Sequence, residues 1–485
     1  MSKMKKLASV LLALVMALAM TCTAFAANIT ITGAQSGHTY TAYQIFTGTL
    51  NADGDTLSDV VWGSDVTNST SLLAALVADD TIGSYFTTSM TAAQVAEVVA
   101  GWRDDSVNLN AFAAVVAQYV DSTSGTVLDS SEASDGTYTH SATGLDDGYY
   151  LVVDTATNLA DGDAISRYII QVISDVTIET KTGTTTFEKD ADDVSVEVGQ
   201  TVTFTLTSTV PDTTYYTTYT WSVSDTMSDG LTFDGTSSII VSIGGTTVTN
   251  YTAKATENGF NLSIDMTQYQ DYVGQTVTIT YTATVNENAV SVVSENNATL
   301  TYSNNPNDSD STDTITDKTE VYSAKVVIDK VDGETDEKLS GAKFVLYKYD
   351  EDGTTKLYYK YTADDESTDE DESAVSWVEN ITDATEVTTV NGAASFIGLE
   401  DGTYYLHETE APDGYNTLTT DTEVTIAGST TNVGTLTVTA EIANESGSTL
   451  PSTGGIGTTI FYIVGGVMVL GAAVLLITRR CMSTR

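Results

Sequence analysis

Thr201-Val202-Thr203-Phe204-Thr205-Leu206 alternates polar and apolar side chains with a period of two, and Val277-Thr278-Ile279-Thr280-Tyr281 repeats the pattern. Successive side chains of a strand point to opposite faces, so such runs bury one face and wet the other. Turn-rich clusters separate runs of this kind through residues 183–446, where Thr, Val, Tyr and Ser dominate. The stretch therefore reads as antiparallel, Ig-like β-sandwich modules in tandem, making the chain mainly β. Residues 27–182 read as a mixed α+β domain instead: segments 71–78, 92–102 and 109–120 carry Ala and Val at helical spacing, flanked by strands such as 28–32 and 149–154. Boundaries near 181–183 and near 317–323 divide the body into 27–182, 183–320 and 321–446, and the acidic stretch 364–372 reads as a loop inserted in the last module.

The two ends carry other signals. Lys3, Lys5 and Lys6 precede the apolar run 7–20, and Ala24-Phe25-Ala26 supplies small residues for cleavage, the pattern of a secretory signal peptide over 1–26. Cys22 does not make this a lipoprotein signal, because Thr21 stands where a smaller residue is wanted. In 447–485, the pentapeptide Leu450-Pro451-Ser452-Thr453-Gly454 is followed by an apolar run over 456–477 and then by Arg479 and Arg480, which reads as an address beside a membrane span with positive charge beyond it. Both cysteines, Cys22 and Cys481, fall in these end segments, so the chain between them has neither thiol nor disulfide. Sixty-six acidic against 19 basic residues give a net charge of -47, which excludes a nucleic-acid or anionic-membrane surface.

Lysine is placed unusually. None occurs between Lys6 and Lys181, so residues 27–180 can form no lysine-derived crosslink, whereas the two later domains each open with one. In the third domain Val326, Ile328 and Lys330 share a strand face; so do Leu436, Val438, Ala440, Ile442 and Asn444, and so do Tyr404, Leu406 and Glu408. A lysine, an asparagine and a carboxylic acid are thus expected to project inward together. Burial would lower the lysine pKa, making a nucleophile, and raise that of the acid, which could then polarise the Asn amide and shuttle protons as ammonia leaves. The product is an intramolecular isopeptide bond; the competing reading is a buried Lys–Glu ion pair. Alternation turns Lys343, a rival nucleophile, toward solvent. In the middle domain the same logic selects Lys189 beside Phe187, Asp225 on a face with Trp221 and Val223, and Asn296 on a face with Ala298, Leu300 and Tyr302 in preference to Asn297.

Several motifs carry a family resemblance. The pentapeptide, span and basic tail resemble the sorting signal cut by sortases of Gram-positive bacteria, which implies cleavage between Thr453 and Gly454. Tyr404-Tyr405-Leu406-His407-Glu408-Thr409-Glu410-Ala411-Pro412-Asp413-Gly414-Tyr415 resembles the E-box of Gram-positive pilins, YxLxExxAPxGY, and Lys330-Val331-Asp332 with Leu339-Ser340-Gly341-Ala342-Lys343-Phe344 resembles the opening of their Cna B-type domains. The stretch from Asp225 to Phe233 resembles a strand of the family's middle domains, which are Cna A-like; Tyr40-Thr41-Ala42-Tyr43-Gln44-Ile45-Phe46 and Asp147-Gly148-Tyr149-Tyr150-Leu151-Val152 extend the likeness into the first domain. The resemblance implies that Lys330 joins Asn444 with Glu408 as catalyst. Val176-Thr177-Ile178-Glu179-Thr180-Lys181 resembles the pilin motif WxxxVxVYPK in spacing, with Val172, Glu179 and Thr180 in place of Trp, Tyr and Pro; it implies Lys181 as the amine that receives Thr453 of the next subunit, with Lys254 and Lys318 as rivals.

The remaining chemical signals are weak. Asn51-Ala52-Asp53-Gly54-Asp55 begins like a calcium loop but has Trp62 at the twelfth position, and His38, His140 and His407 read as isolated, so no metal or cofactor is expected. The expectation is a non-enzymatic backbone pilin, polymerised by sortase through identical subunits and fixed to peptidoglycan, with minor pilins and a host receptor as further partners. The alternative is a tip or singly wall-anchored adhesin.

Overall fold

The computed structural model describes residues 27–51, 56–102, 106–156, 159–180, 185–214, 216, 218–306, 308–364, 373–447 and 456–482. In the first domain a sheet ordered Asp129–Glu132, Tyr138–Leu145, Ala27–Ala34, Val176–Glu179 lies against one ordered Leu57–Trp62, Tyr40–Leu50, Gly148–Asp154, Arg167–Val172. Ile29, Ile31, Ala42, Val152 and Ile170 fill the space between them. Alternate residues of the second sheet point the other way, and Ile45, Phe46 and Leu151 pack there against Leu72, Leu76, Val95, Phe112 and Val116 of three helices. The helices run Ser69–Ala78, Ala92–Ala100 and Val107–Ala117. Their starts are set by caps: Asn68 and Ser106 accept from backbone N–H groups, and Thr91 with Gln94 forms a capping box. The third helix ends at Ala117, short of the expected 120, because Val120 bridges to Val66 as extended chain.

The middle domain is a sandwich of two sheets. One is ordered Phe187–Ala191, Thr201–Thr209, Thr276–Val285, Ile240–Ile243, Thr246–Val248; the other Thr252–Ala255, Gly259–Ser263, Trp221–Met227, Val293–Ser303, Thr312–Tyr322. Its last strand pairs with the preceding one along its whole length, from Ser303↔Thr312 to Val293↔Tyr322, and the next strand begins at Ala324. The third domain packs a small sheet, Ala393–Leu399, Ala324–Asp332, Thr437–Asn444, against a larger one containing Lys343–Tyr349 and Gly402–Glu410.

Purely antiparallel modules were expected from 183 onward, and here the structure differs. Ala324–Asp332 and Thr437–Asn444, the first and last strands of the third domain, run parallel from Lys325↔Thr437 to Asp332↔Asn444. Alternation specifies a strand's faces but not its partner's direction, and the intervening strands supply the crossover a parallel pair requires.

The histidines also depart from expectation. His407 Nδ1 meets Asp421 Oδ1 at 2.7 Å. His38 is buried between two carboxylates, with Nδ1 2.5 Å from Asp154 Oδ2 and Nε2 2.7 Å from Asp163 Oδ2. Two acceptors on one imidazole require both nitrogens to carry protons, so the ring is a cation. Burial opposes that charge, but the two aspartates outweigh it and push the His38 pKa up to about 9. Tyr40 stacks on the ring, and His140, held below the usual histidine range by burial, lies against Tyr40. Asp163 sits in the 155–166 connection that docks on the middle domain, where Gly162 N donates to Tyr302 Oη at 2.9 Å and Ile165 N donates to Asn304 O at 2.8 Å.

Residues 27–180, which hold no lysine, are therefore tied by a buried cation between two anions. His38→Ala leaves two buried carboxylates without that cation and is expected to cost the first domain about 3–5 kcal/mol. Since the folded pKa lies above the ordinary 6.5, the contribution is complete below about pH 6.5 and is lost as pH rises through about 9. Thermal unfolding of the secreted chain across pH 6–10 checks this. The variant should lack the alkaline decline that the native chain shows.

Candidate functional site: two buried lysine, acid and asparagine sets

In the third domain, Lys330 is fully buried on Ala324–Asp332, and the parallel register sets it opposite Ile442. Asn444 is two residues further on and so shares that face. Glu408 enters from the facing sheet on Gly402–Glu410, where Tyr404, Leu406 and Glu408 are the buried positions. Asn444 Nδ2 donates to Glu408 Oε2 at 3.0 Å and to Asn416 O at 2.8 Å, and Glu408 Oε2 also accepts from Leu418 N at 2.9 Å. Lys330 Nζ donates to Ile442 O at 2.8 Å, and burial holds its pKa below the usual lysine range against the opposing pull of Glu408 and Asp332. Lys343 pairs at 2.6 Å with Glu410 on the surface, away from this set. The motif's Tyr415 donates to Asp332 Oδ2 at 2.6 Å, which ties the segment after Glu408 to the strand of Lys330.

The middle-domain set is assembled across the sandwich. Lys189 comes from the edge strand of one sheet, and Asp225 and Asn296 from neighbouring strands of the other, with Met227 opposite Asn296. All three are buried, and Asn297 lies opposite Lys318 on the other face. Lys189 Nζ lies 2.6 Å from Asp225 Oδ2, and burial drives the lysine pKa down and the aspartate pKa up. Both shifts favour moving a proton from ammonium to carboxylate, leaving a neutral amine beside a neutral acid, the pairing that nucleophilic attack on an amide needs. Tyr281 joins the three. Its hydroxyl donates to Asp225 Oδ2 at 2.5 Å and accepts from Lys189 Nζ and, at 3.2 Å, from Asn296 Nδ2. Sequence reading missed Tyr281, although it shares a face with Val277 and Ile279; nothing in a strand pattern marks one inward tyrosine as chemical. Asp225 Oδ1, Asn296 Oδ1, Glu408 Oε1 and Asn444 Oδ1 are buried without hydrogen-bond partners, so both asparagine carbonyls are open to polarisation.

Lys181 and the pentapeptide Leu450, Pro451, Ser452, Thr453 and Gly454 lie outside the described residues, as does the signal peptide. Beyond the pentapeptide, Ile456–Met482 is a helix whose segment Ile460–Arg480 is long and apolar enough to cross a membrane. Of the rival acceptors, Lys318 is engaged by Glu295 at 2.9 Å and Glu320 at 2.7 Å.

Residues 324–442 match the prealbumin-like fold domain of SpaA, and 443–483 match the LPXTG cell wall anchor motif. No curated protein sequence matches the chain. Among solved structures, the T6 backbone pilin of serotype M6 Streptococcus pyogenes is similar over 82% of this chain and 80% of its own, at 22% identity and TM-score 0.53. The major pilin SpaD of Corynebacterium diphtheriae is similar over 87% of this chain and 98% of its own, at 17% identity and TM-score 0.51. The chain thus has the mainly β fold of Gram-positive backbone pilins, ending in a sortase-processed anchor. It is placed at the cell wall, after a stage in which the apolar helix holds it in the membrane.

Tyr281 gives a test of the middle set's wiring. Tyr281→Phe removes one hydroxyl that touches all three partners and, on the sequence expectation that Lys189 joins Asn296, should slow that bond formation by about one to two decades, the loss of a hydrogen bond to a charged group. Mass spectrometry of freshly refolded protein over time reads this directly, and the third domain's reaction in the same molecule should keep its rate.

Proposed function

We propose that this chain is the backbone subunit of a covalent surface pilus, braced internally by Lys189–Asn296 and Lys330–Asn444 isopeptide bonds. One observation carries the reading: two separate domains each bury a lysine, an acid and an asparagine in one cluster, an arrangement too costly to keep as unreacted charge. In each, the neutral lysine amine attacks the Asn side-chain carbonyl, the C–N bond to the amide nitrogen breaks, and that nitrogen leaves as ammonia with protons passed through the acid. Glu408 serves the third domain and Asp225 the middle one, so both are catalytic residues of a reaction that occurs once. Assembly uses a second acyl transfer. A sortase breaks the Thr453–Gly454 bond and passes the threonine acyl group to the Lys181 amine of the next subunit or, at the base, to a peptidoglycan amine. Adhesion, through minor pilins or a host receptor, follows from display on such a polymer.

The intact mass of the folded chain should fall two ammonias short of its sequence mass. Asp225→Ala and Glu408→Ala should each restore one. The bonds close spans of 107 residues, from 189 to 296, and 114 residues, from 330 to 444. Chain-entropy arguments for such loops give about 4–5 kcal/mol of stabilisation each, so either variant should also unfold at markedly lower denaturant.

Lys181→Ala should leave crosslinked, wall-anchored monomer and abolish the high-mass ladder that survives hot detergent. Peptide maps of wall-released chains should end at Thr453. A persistent ladder, or peptides from beyond Gly454 in wall-linked material, would count against the assembly scheme.

A further inference from the structure

Residues 159–166 form a strap between the strands Gly148–Asp154 and Arg167–Val172 of the first domain, and its backbone rests on the middle domain. Gly162 N donates to Tyr302 Oη at 2.9 Å, Gly162 O accepts from Thr185 N at 2.7 Å, and Ile165 N donates to Asn304 O at 2.8 Å. Between these contacts the side chain of Asp163 turns the other way, into the first domain, and meets His38 Nε2 at 2.7 Å with both side chains closed to solvent. One residue thus has its carboxylate in one domain and its flanking peptides on the next. Asn110 Nδ2 also crosses the joint, to Thr214 O, and does not depend on the imidazole.

The two carboxylates on the ring are held unequally. Asp154 Oδ2 also accepts from Ser166 N at 3.2 Å and Asp154 Oδ1 from Ala156 N at 3.2 Å, whereas Asp163 Oδ2 has His38 as its one partner among the described residues. A neutral imidazole donates through one nitrogen and presents a lone pair at the other. When the proton leaves, donation to Asp154 keeps the better-braced contact, and the lone pair then faces Asp163. A buried carboxylate left against a lone pair is repelled and without solvation, so it moves out to water. Among the described residues no second cation faces the ring. Tyr40 stacks on it, Tyr168 and His140 stand near Tyr40, and burial together with the charge on His38 keeps His140 below the usual histidine range. Arg167 pairs with Val153, which packs in the helix-covered core, so it stands on the other face of that sheet. Asp161 of the strap acts on Tyr302.

We propose that the proton on His38 is a latch for the joint between the first and middle domains: the charged ring holds the strap on the middle domain, and the neutral ring frees Asp163 and lets the first domain swing while its own fold stays closed. This goes beyond the crosslinks and the sorting signal and depends on neither.

The test uses the secreted chain, which has no native cysteine between 27 and 453, with spin labels on introduced ones. Ser130→Cys with Thr252→Cys spans the joint from exposed positions of the two domains, and Ser130→Cys with Glu97→Cys lies within the first domain alone. As pH rises from about 8 to about 10, through the His38 pKa of about 9, the first pair should lose its single narrow distance and the second should keep it. Asp163→Ala removes the strap's side-chain anchor, so the 130–252 distance should be broad at every pH. Gly162→Ala works from the other side: Gly162 has a φ of +84°, and an added methyl would collide with Thr185 O, which detaches the strap without touching the ring. Coupling between two sites is reciprocal, so His38 in that variant should bind its proton about tenfold more weakly, read from its ring-proton resonance against pH. A narrow 130–252 distance once that resonance shows His38 neutral, a narrow distance in either variant, or an unchanged His38 titration in Gly162→Ala overturns the latch. So does a 97–130 distance that broadens together with the first pair, because the first domain would then be unfolding instead of swinging.

Discussion

Removing a lysine amine from water is the constraint on which the two later domains depend. An isolated buried ammonium is too costly to keep, so the sites must either pair the charge, discharge it, or consume the amine. In the middle domain the amine meets Asp225 and Tyr281 inside a sandwich where Phe204 and Phe260 pack around Tyr281. The same burial that lowers the lysine pKa raises that of the acid, so one packing decision pushes both groups toward their neutral forms. In the third domain the amine instead faces backbone carbonyls, and the acid holds the asparagine. The two sets therefore share ingredients but not wiring. In the middle domain the lysine and asparagine stand on different sheets; in the third they stand on neighbouring strands of one, with the acid on the other.

Much of this was legible in the chain, because a strand's faces follow from parity. Lys330 with Val326 and Ile328, Glu408 with Tyr404 and Leu406, and Asn296 with Leu300 and Tyr302 all lie on the buried sides that alternation assigns. Strand direction was not legible: the parallel pairing of Ala324–Asp332 with Thr437–Asn444 depends on how intervening strands cross over. Contacts formed by residues far apart in sequence were also hidden. His38 lies 116 residues from Asp154 and 125 from Asp163, and no spacing rule connects them. Tyr281 was concealed differently, as one tyrosine in a run whose pattern already explained it as core.

The first domain solves the stability problem with other means. With no lysine before position 181 it relies on a helical cover over one sheet face, a second apolar core between sheets, and the imidazolium of His38 between two aspartates. Its connection 155–166 carries one of those aspartates and also contacts the middle domain, so internal packing and domain docking share a segment. At the other joint, Glu197 of the middle domain takes Lys348 at 3.1 Å and the Trp377 indole at 2.7 Å, while Val375 N donates to Val198 O at 2.8 Å. Backbone and charge together cross that boundary.

The parallel pairing in the third domain has a mechanical meaning. The chain arrives at Ala324 and departs after Asn444, at opposite ends of two strands lying side by side. A pull between these points acts along the strands and shears the whole row of backbone hydrogen bonds at once, rather than peeling them one after another from an end. Lys330 and Asn444 both sit at the departing end. Whatever joins them there meets the tension before the row does, and the fold behind it can remain slack.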